Sequence, residues 1–169
     1  MSTLKTAELT FTSGFHFDVE TGSGRTIAFD DPPEGGLGPV ETILASLASC
    51  TAMDVISIAL KKRQPVTTYR VHARGEQREA YPQVFTRIDL VHEVEGPGVS
   101  TEAIARCIEL SATKYCPVSA MLSAGPTEVH HKYRVTRPGE PTDEGEVMVT
   151  GPYQRADPED QGGRLADQT

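Results

Sequence analysis

The chain has 169 residues, 37% of them hydrophobic, which suits one ordinary domain with or without a tail and leaves little room for two. A formal charge of −8 with only 16 Lys and Arg argues against a nucleic-acid binder, whose phosphate contacts need a basic surface. No run approaches about 18 uncharged apolar residues, which speaks against a membrane span, and MSTLKTAELTF lacks the basic-then-apolar order of a secretory signal.

Strand signals come first along the chain. Ala7, Leu9 and Phe11 alternate with polar neighbours, then Phe15, Phe17 and Val19, and Thr26 to Phe29 follows a Gly-rich turn. Asp30 to Gly38, with Pro32-Pro33 and Gly35-Gly36, fits neither helix nor strand. Pro39 suits a first helical position, and nothing breaks a helix before Pro65. Alternating runs around Tyr69–Ala73 and Val84–Val94 predict two further strands, closed by Gly96-Pro97-Gly98. Ser100 or Thr101 caps a second helix whose apolar stripe is Ile104, Cys107, Ile108, Ser111 and Tyr115. A short third helix opens at Cys116-Pro117 and stops by Gly125, and Val129, His131, Tyr133 and Val135 form a last strand. Strands clustered around helices in this order predict an α+β domain with mainly antiparallel pairing over residues 1–137.

Residues 138–169 read differently. They hold eight acidic residues against Arg155 and Arg164, four prolines, many glycines and one weak apolar patch at Val147–Val149. Such composition buries little apolar surface against chain entropy, so an acidic, disordered or loosely draped tail is expected, dispensable for assembly.

From Thr42 to Met53 the long helix carries no charge, only apolar and small hydroxyl side chains. Such a helix needs enclosure on nearly every side, and its Ala and Ser residues let another helix approach closely; both point to a homodimer with shared helices. The three cysteines, at 50, 107 and 116, are unlike a secreted disulfide framework and suggest a reducing, cytoplasmic setting. Cys50, in mid-helix, is either a small core hydrophobe or a reactive thiol activated by a cation brought from elsewhere. Cys116, before Pro117, is an N-cap, with or without the thiolate that exposed amides and the helix dipole favour. Cys107 falls on the apolar stripe and reads as packing. Asp54, one turn after Cys50, disfavours a thiolate unless a hydrogen bond or cation offsets it.

The run GPVETILASLASC (Gly38 to Cys50), followed by TAMDV, resembles the central helix of the OsmC-like family, which includes the organic hydroperoxide resistance proteins. LSATKYCPV (Leu110 to Val118) resembles that family's second-cysteine segment, and the likeness covers about residues 5–136. It implies an intertwined α+β homodimer with antiparallel sheets around the central helix. It also implies a cysteine-based peroxidase of organic hydroperoxides or hydrogen peroxide, recycled by an external dithiol such as a lipoyl protein, without metal or organic cofactor. Cys50 matches the peroxidatic position and Cys116 the resolving one. In the hydroperoxide-resistance branch a Glu directly follows the helix-opening Pro and pairs with an Arg from the N-terminal segment. Here Val40 stands in that place and Glu41 comes next, as in the broader branch; Arg25 is the candidate cation. Nine helical residues turn through about 900°, so Glu41 and Cys50 point to opposite sides of one continuous helix. Val40 and the Gly-rich surroundings of Arg25 leave a second reading open, a non-catalytic ligand-binding protein on the same scaffold.

Overall fold

A computed structural model describes residues 4–31 and 35–152. The chain divides into two units, 1–46 and 47–169. In the first, strands Ala7–Ser13 (β1), His16–Thr21 (β2) and Thr26–Phe29 (β3) form an antiparallel sheet in the order β1-β2-β3. Its reversals use Gly14 and Gly24, at φ of 53° and 72°, a region that glycine enters without steric cost. Phe11 lies opposite Phe17 and meets it edge-on at 5.6 Å. The alternation of β1 forecasts a buried face, yet every β1 residue is exposed in the single chain, Phe11 by 62%.

A long helix, Pro39–Lys61 (α1), starts with Pro at its first position and ends where Arg63 turns into the left-handed region at φ 55°. Only Leu47, Thr51, Val55 and Ala59 are buried along it, a stripe at four-residue spacing, while Met53 and Leu60 face outward. The enclosure expected from its composition is therefore not supplied by one chain. By length and composition α1 is also apolar enough to cross a membrane, which corrects the exclusion drawn from the sequence. Val55 and Ala59 of that stripe belong to the core of the second unit.

That unit carries a four-stranded sheet of Thr68–Gln77 (β4), Phe85–Glu95 (β5), Glu128–Thr136 (β6) and Asp143–Thr150 (β7), in the order β4-β5-β6-β7. The pairing is antiparallel except between β5 and β6, which run parallel. A parallel pair needs a long crossover, and the helices between β5 and β6 provide it. They are Thr101–Leu110 (α2), one π-helical turn over Ser111–Tyr115, and Pro117–Ser123 (α3). Ser100 caps α2 by accepting the Ala103 amide at 3.1 Å. Val55 and Ala59 of α1 pack with Val94, Val135, Val99, Ile104, Cys107 and Ile108 to form the core; burying each isoleucine contributes about 1.5–3 kcal/mol. Cys107 is fully buried there, as packing predicts.

Two expectations need correction. The second helix does not run on to Tyr115: the π turn interrupts it after Leu110, and Tyr115 is half-exposed rather than part of the stripe. The domain does not end at 137 either, because residues 143–150 form β7, an integral strand hydrogen-bonded to β6. Acidic side chains read from composition as a solvated tail face basic partners on or beside β6. Glu146 meets His130 at 2.8 Å, Glu144 meets Arg134 at 3.3 Å, and Asp143 pairs with Arg137. Gly145 gives way to the Tyr133 ring: a Cβ there would sit 2.8 Å from its hydroxyl. The remainder of the expected tail, 153–169, lies outside the described residues.

Candidate active site

The π turn sets the site. Its wide ring closes through the Cys116 amide, which donates to the Ser111 carbonyl at 2.9 Å. Cys116 then takes extended backbone (ψ 103°) ahead of Pro117, as a residue before proline prefers, and becomes the N-cap of α3. Its sulfur accepts the Ser119 amide at 3.3 Å. Across from it, Cys50 and Asp54 stand one turn apart on α1. The two sulfurs and an Asp54 carboxylate oxygen lie within 4.8 Å of one another.

Hydroxyl groups hold the carboxylate. Ser111 donates to Asp54 Oδ2 at 2.9 Å, and the Thr51 hydroxyl shares a 3.0 Å hydrogen bond with Ser111. Ser111 and Thr51 are both fully buried, so the thread Thr51–Ser111–Asp54 satisfies polar groups that burial would otherwise penalise. It supplies the partner that Asp54 was expected to need.

Burial separates the two thiols. Cys50 is half-buried, whereas Cys116 is 3% exposed. Loss of hydration, reinforced by a hydrogen bond to Cys50, pushes the Cys116 thiol up to about 12 against the pull of the Ser119 amide. The thiolate that an N-cap position was expected to favour is thus overridden by burial; Cys116 keeps its proton. Both thiols are free, and a disulfide needs the sulfurs at about 2 Å, so closure requires a small movement of the pair.

Two further polar pairs are buried on the sheet. Tyr69 Oη lies 2.7 Å from His92 Nδ1, and His131 Nε2 lies 3.2 Å from Thr150 Oγ1. Burial raises the Tyr69 hydroxyl and lowers His92 to about 3 and His131 to about 4, so the Tyr69–His92 hydrogen bond joins two neutral groups, its direction set by the His92 tautomer. His92 Nε2 and His131 Nδ1 have no partner among the described residues.

The profile of the OsmC-like protein family matches residues 31–143, a span containing both cysteine blocks. This chain belongs to the OsmC-like family. It is 36% identical to Protein YhfA of Escherichia coli over 130 residues, 76% of this chain and 96% of that one. The crystal structure of a hypothetical protein from Aquifex aeolicus superposes with a TM-score of 0.73 at 30% identity, covering 80% of this chain and 98% of the other. An organic hydroperoxide resistance protein from Legionella pneumophila shares the fold at a TM-score of 0.57 and 14% identity, over 79% and 97% of the two chains. The OsmC-like fold expected from the sequence is therefore the fold found.

Of the four residues that the family resemblance singled out, Cys50 and Cys116 meet. Arg25 lies exposed in the turn between β2 and β3, where its backbone closes onto Thr21. Glu41 lies exposed in the first turn of α1 and folds back beside Gly38. Neither side chain forms an ion pair among the described residues, so the expected Arg–Glu pair is absent from the single chain. Thr51 and Ser111 escaped sequence reasoning as site residues. Their signal was weak: two hydroxyls on otherwise apolar helix faces, one of them second in the block that carries Cys116.

Proposed function

We propose that this OsmC-like protein is a thiol peroxidase acting on organic hydroperoxides, with Cys50 as nucleophile and Cys116 as resolving thiol. The proximity of a half-buried and a fully buried sulfur beside one carboxylate carries this reading. The Cys50 sulfur attacks the O–O bond of the hydroperoxide; an alcohol leaves and Cys50 becomes a sulfenic acid. Cys116 then displaces the sulfenic oxygen, its proton leaving with that oxygen as water, and a Cys50–Cys116 disulfide forms. An external dithiol restores both thiols by exchange and leaves as its own disulfide.

In this reading the working unit is a homodimer. The exposed Leu9, Phe11 and Phe15 of the first unit present apolar surface that a second copy would cover, and so, separately, do Met53 and Leu60 of α1. Arg25 and Glu41 keep the role of an activating cation and its carboxylate. Since Glu41 and Cys50 point to opposite sides of α1, they would serve the second subunit's site.

Purified protein supplied with cumene hydroperoxide and dihydrolipoamide should consume peroxide. Cys50→Ser should reduce consumption to background, and Cys116→Ser should stop after one turnover with a trappable sulfenic acid. Undiminished turnover by Cys50→Ser sinks the reading. The convergence of two sulfurs and a carboxylate, a donor set suited to holding a ligand, favours the other reading, a non-catalytic binding scaffold. Alkylation of Cys50 that is no faster than that of a free thiol, with no peroxide consumption, would support the scaffold instead.

A further inference from the structure

Two sulfurs and a carboxylate oxygen converge from α1 and the start of α3, within 4.8 Å of one another. That is a donor set for a borderline-soft, four-coordinate divalent ion, with the fourth position left to water. A zinc–sulfur distance of about 2.3 Å and a zinc–oxygen distance of about 2.0 Å place tetrahedral ligand atoms about 3.5–3.8 Å apart, so each pair need contract by at most about 1.3 Å. The supports that such ligands need are in place. Ser111 holds the Asp54 carboxylate through Oδ2 and is itself backed by Thr51. The Ser119 amide donates to the Cys116 sulfur, which suits a metal-bound thiolate.

We propose that the reduced site binds a zinc-class divalent ion between Cys50, Cys116 and Asp54, and that this ion and a hydroperoxide compete for the same two sulfurs. Binding releases the two thiol protons as the two metal–sulfur bonds form. Oxidation reverses it: the two thiolates give two electrons to the hydroperoxide, which takes up two protons and leaves as alcohol and water. The resulting disulfide cannot ligate, and the ion is released. Ion capture does not depend on the peroxidase reading; only the competition does.

Titration of the reduced full-length protein with Co2+ and then Zn2+ tests ion capture without any peroxide. One Co2+ per chain is expected, with sulfur-to-cobalt charge-transfer absorption that Zn2+ abolishes by displacement. Oxidising the thiols with diamide should eliminate binding, and a dithiol should restore it, with no mutation involved. Cys50→Ser, Cys116→Ser and Asp54→Asn should each weaken binding at least about tenfold, the loss typical of removing even an outer-shell partner, while Cys107→Ala should leave it unchanged. Binding that survives diamide, or that is undiminished in any of the first three variants, overturns the assignment. A protein inert towards hydroperoxide that still takes up one ion would sink the peroxidase reading and keep this one. Peroxide consumption unaffected by saturating Zn2+ would overturn the competition.

Discussion

Acidification from about pH 7.5 to about pH 5 should lower folding stability by about 4 kcal/mol, with His92 and His131 carrying the loss. Both rings are fully buried on the sheet, and burial lowers them to about 3 and about 4, against about 6.5 for a free imidazole. Depressed histidines bind fewer protons folded than unfolded. Their contribution is therefore complete above about pH 6.5 and is lost as the pH falls towards the folded values. At about pH 5 the unfolded rings are almost fully charged while the folded ones remain neutral, which costs about 2 kcal/mol for each. Their mutual repulsion does not alter this sum, because neither is charged in the folded state at that pH.

Other groups leave this window to the histidines. His16, raised chiefly by its hydrogen bond to Asp30, works in the opposite direction, but at a solvated site where such pairs contribute little. Asp89 and Asp143, lowered by Arg87 and Arg137 respectively, lose their contribution only below about pH 4. Urea unfolding followed by far-ultraviolet dichroism, at fixed chain concentration across this range, measures the slope directly. His92→Gln and His131→Gln should each remove about half of it, whatever each costs in absolute stability. A flat profile in the parent protein, or full parental slope in both variants, refutes the reasoning.

Ser111→Ala removes the donor to Asp54 and strands the buried Thr51 hydroxyl, so urea unfolding should show a loss of about 2–4 kcal/mol; a loss below about 1 would make the thread idle. Truncation after Arg137 deletes β7 and its cross-strand partners and should give an unfolded or aggregated product, whereas a folded, soluble one would restore the reading of 138 onward as dispensable. Phe11→Asp places a charge on the exposed apolar strand, and if the proposed homodimer uses that strand, sedimentation should shift from dimer towards monomer; an unchanged dimer would exclude β1 from the interface.

Local signals carried most of the architecture. Pro39 and the unbroken run to Pro65 mark α1, and alternation marks β4, β5 and β6. The parallel pairing of β5 with β6 is non-local, and no residue in either strand announces it. β7 was hidden by averaging, because Asp143, Glu144 and Glu146 are counted as solvated charge until Arg137, Arg134 and His130 are seen beside them. At the site, the resemblance brought Cys50 and Cys116 forward together. Their meeting depends on the turn at 111–115, whose one legible trace is Pro117: it forces Cys116 out of helical backbone and ends the preceding helix.

That single turn explains why the hydroxyl support and the second sulfur come as a unit. Ser111 opens it and Cys116 closes it, joined by the Ser111 carbonyl and the Cys116 amide. A regular α-helix through Tyr115 would rotate Cys116 by about 100° for each residue of shifted register, so Ser111 and the sulfur could not both remain facing α1. Ser111 thus fixes the Asp54 carboxylate at one end while the chain it begins delivers the buried, proton-bearing Cys116 at the other. In the proposed peroxidase reaction this placement sets the order of steps: the half-buried Cys50 is the sulfur that an incoming oxidant reaches first, and Cys116, held out of solvent, is the one that resolves it.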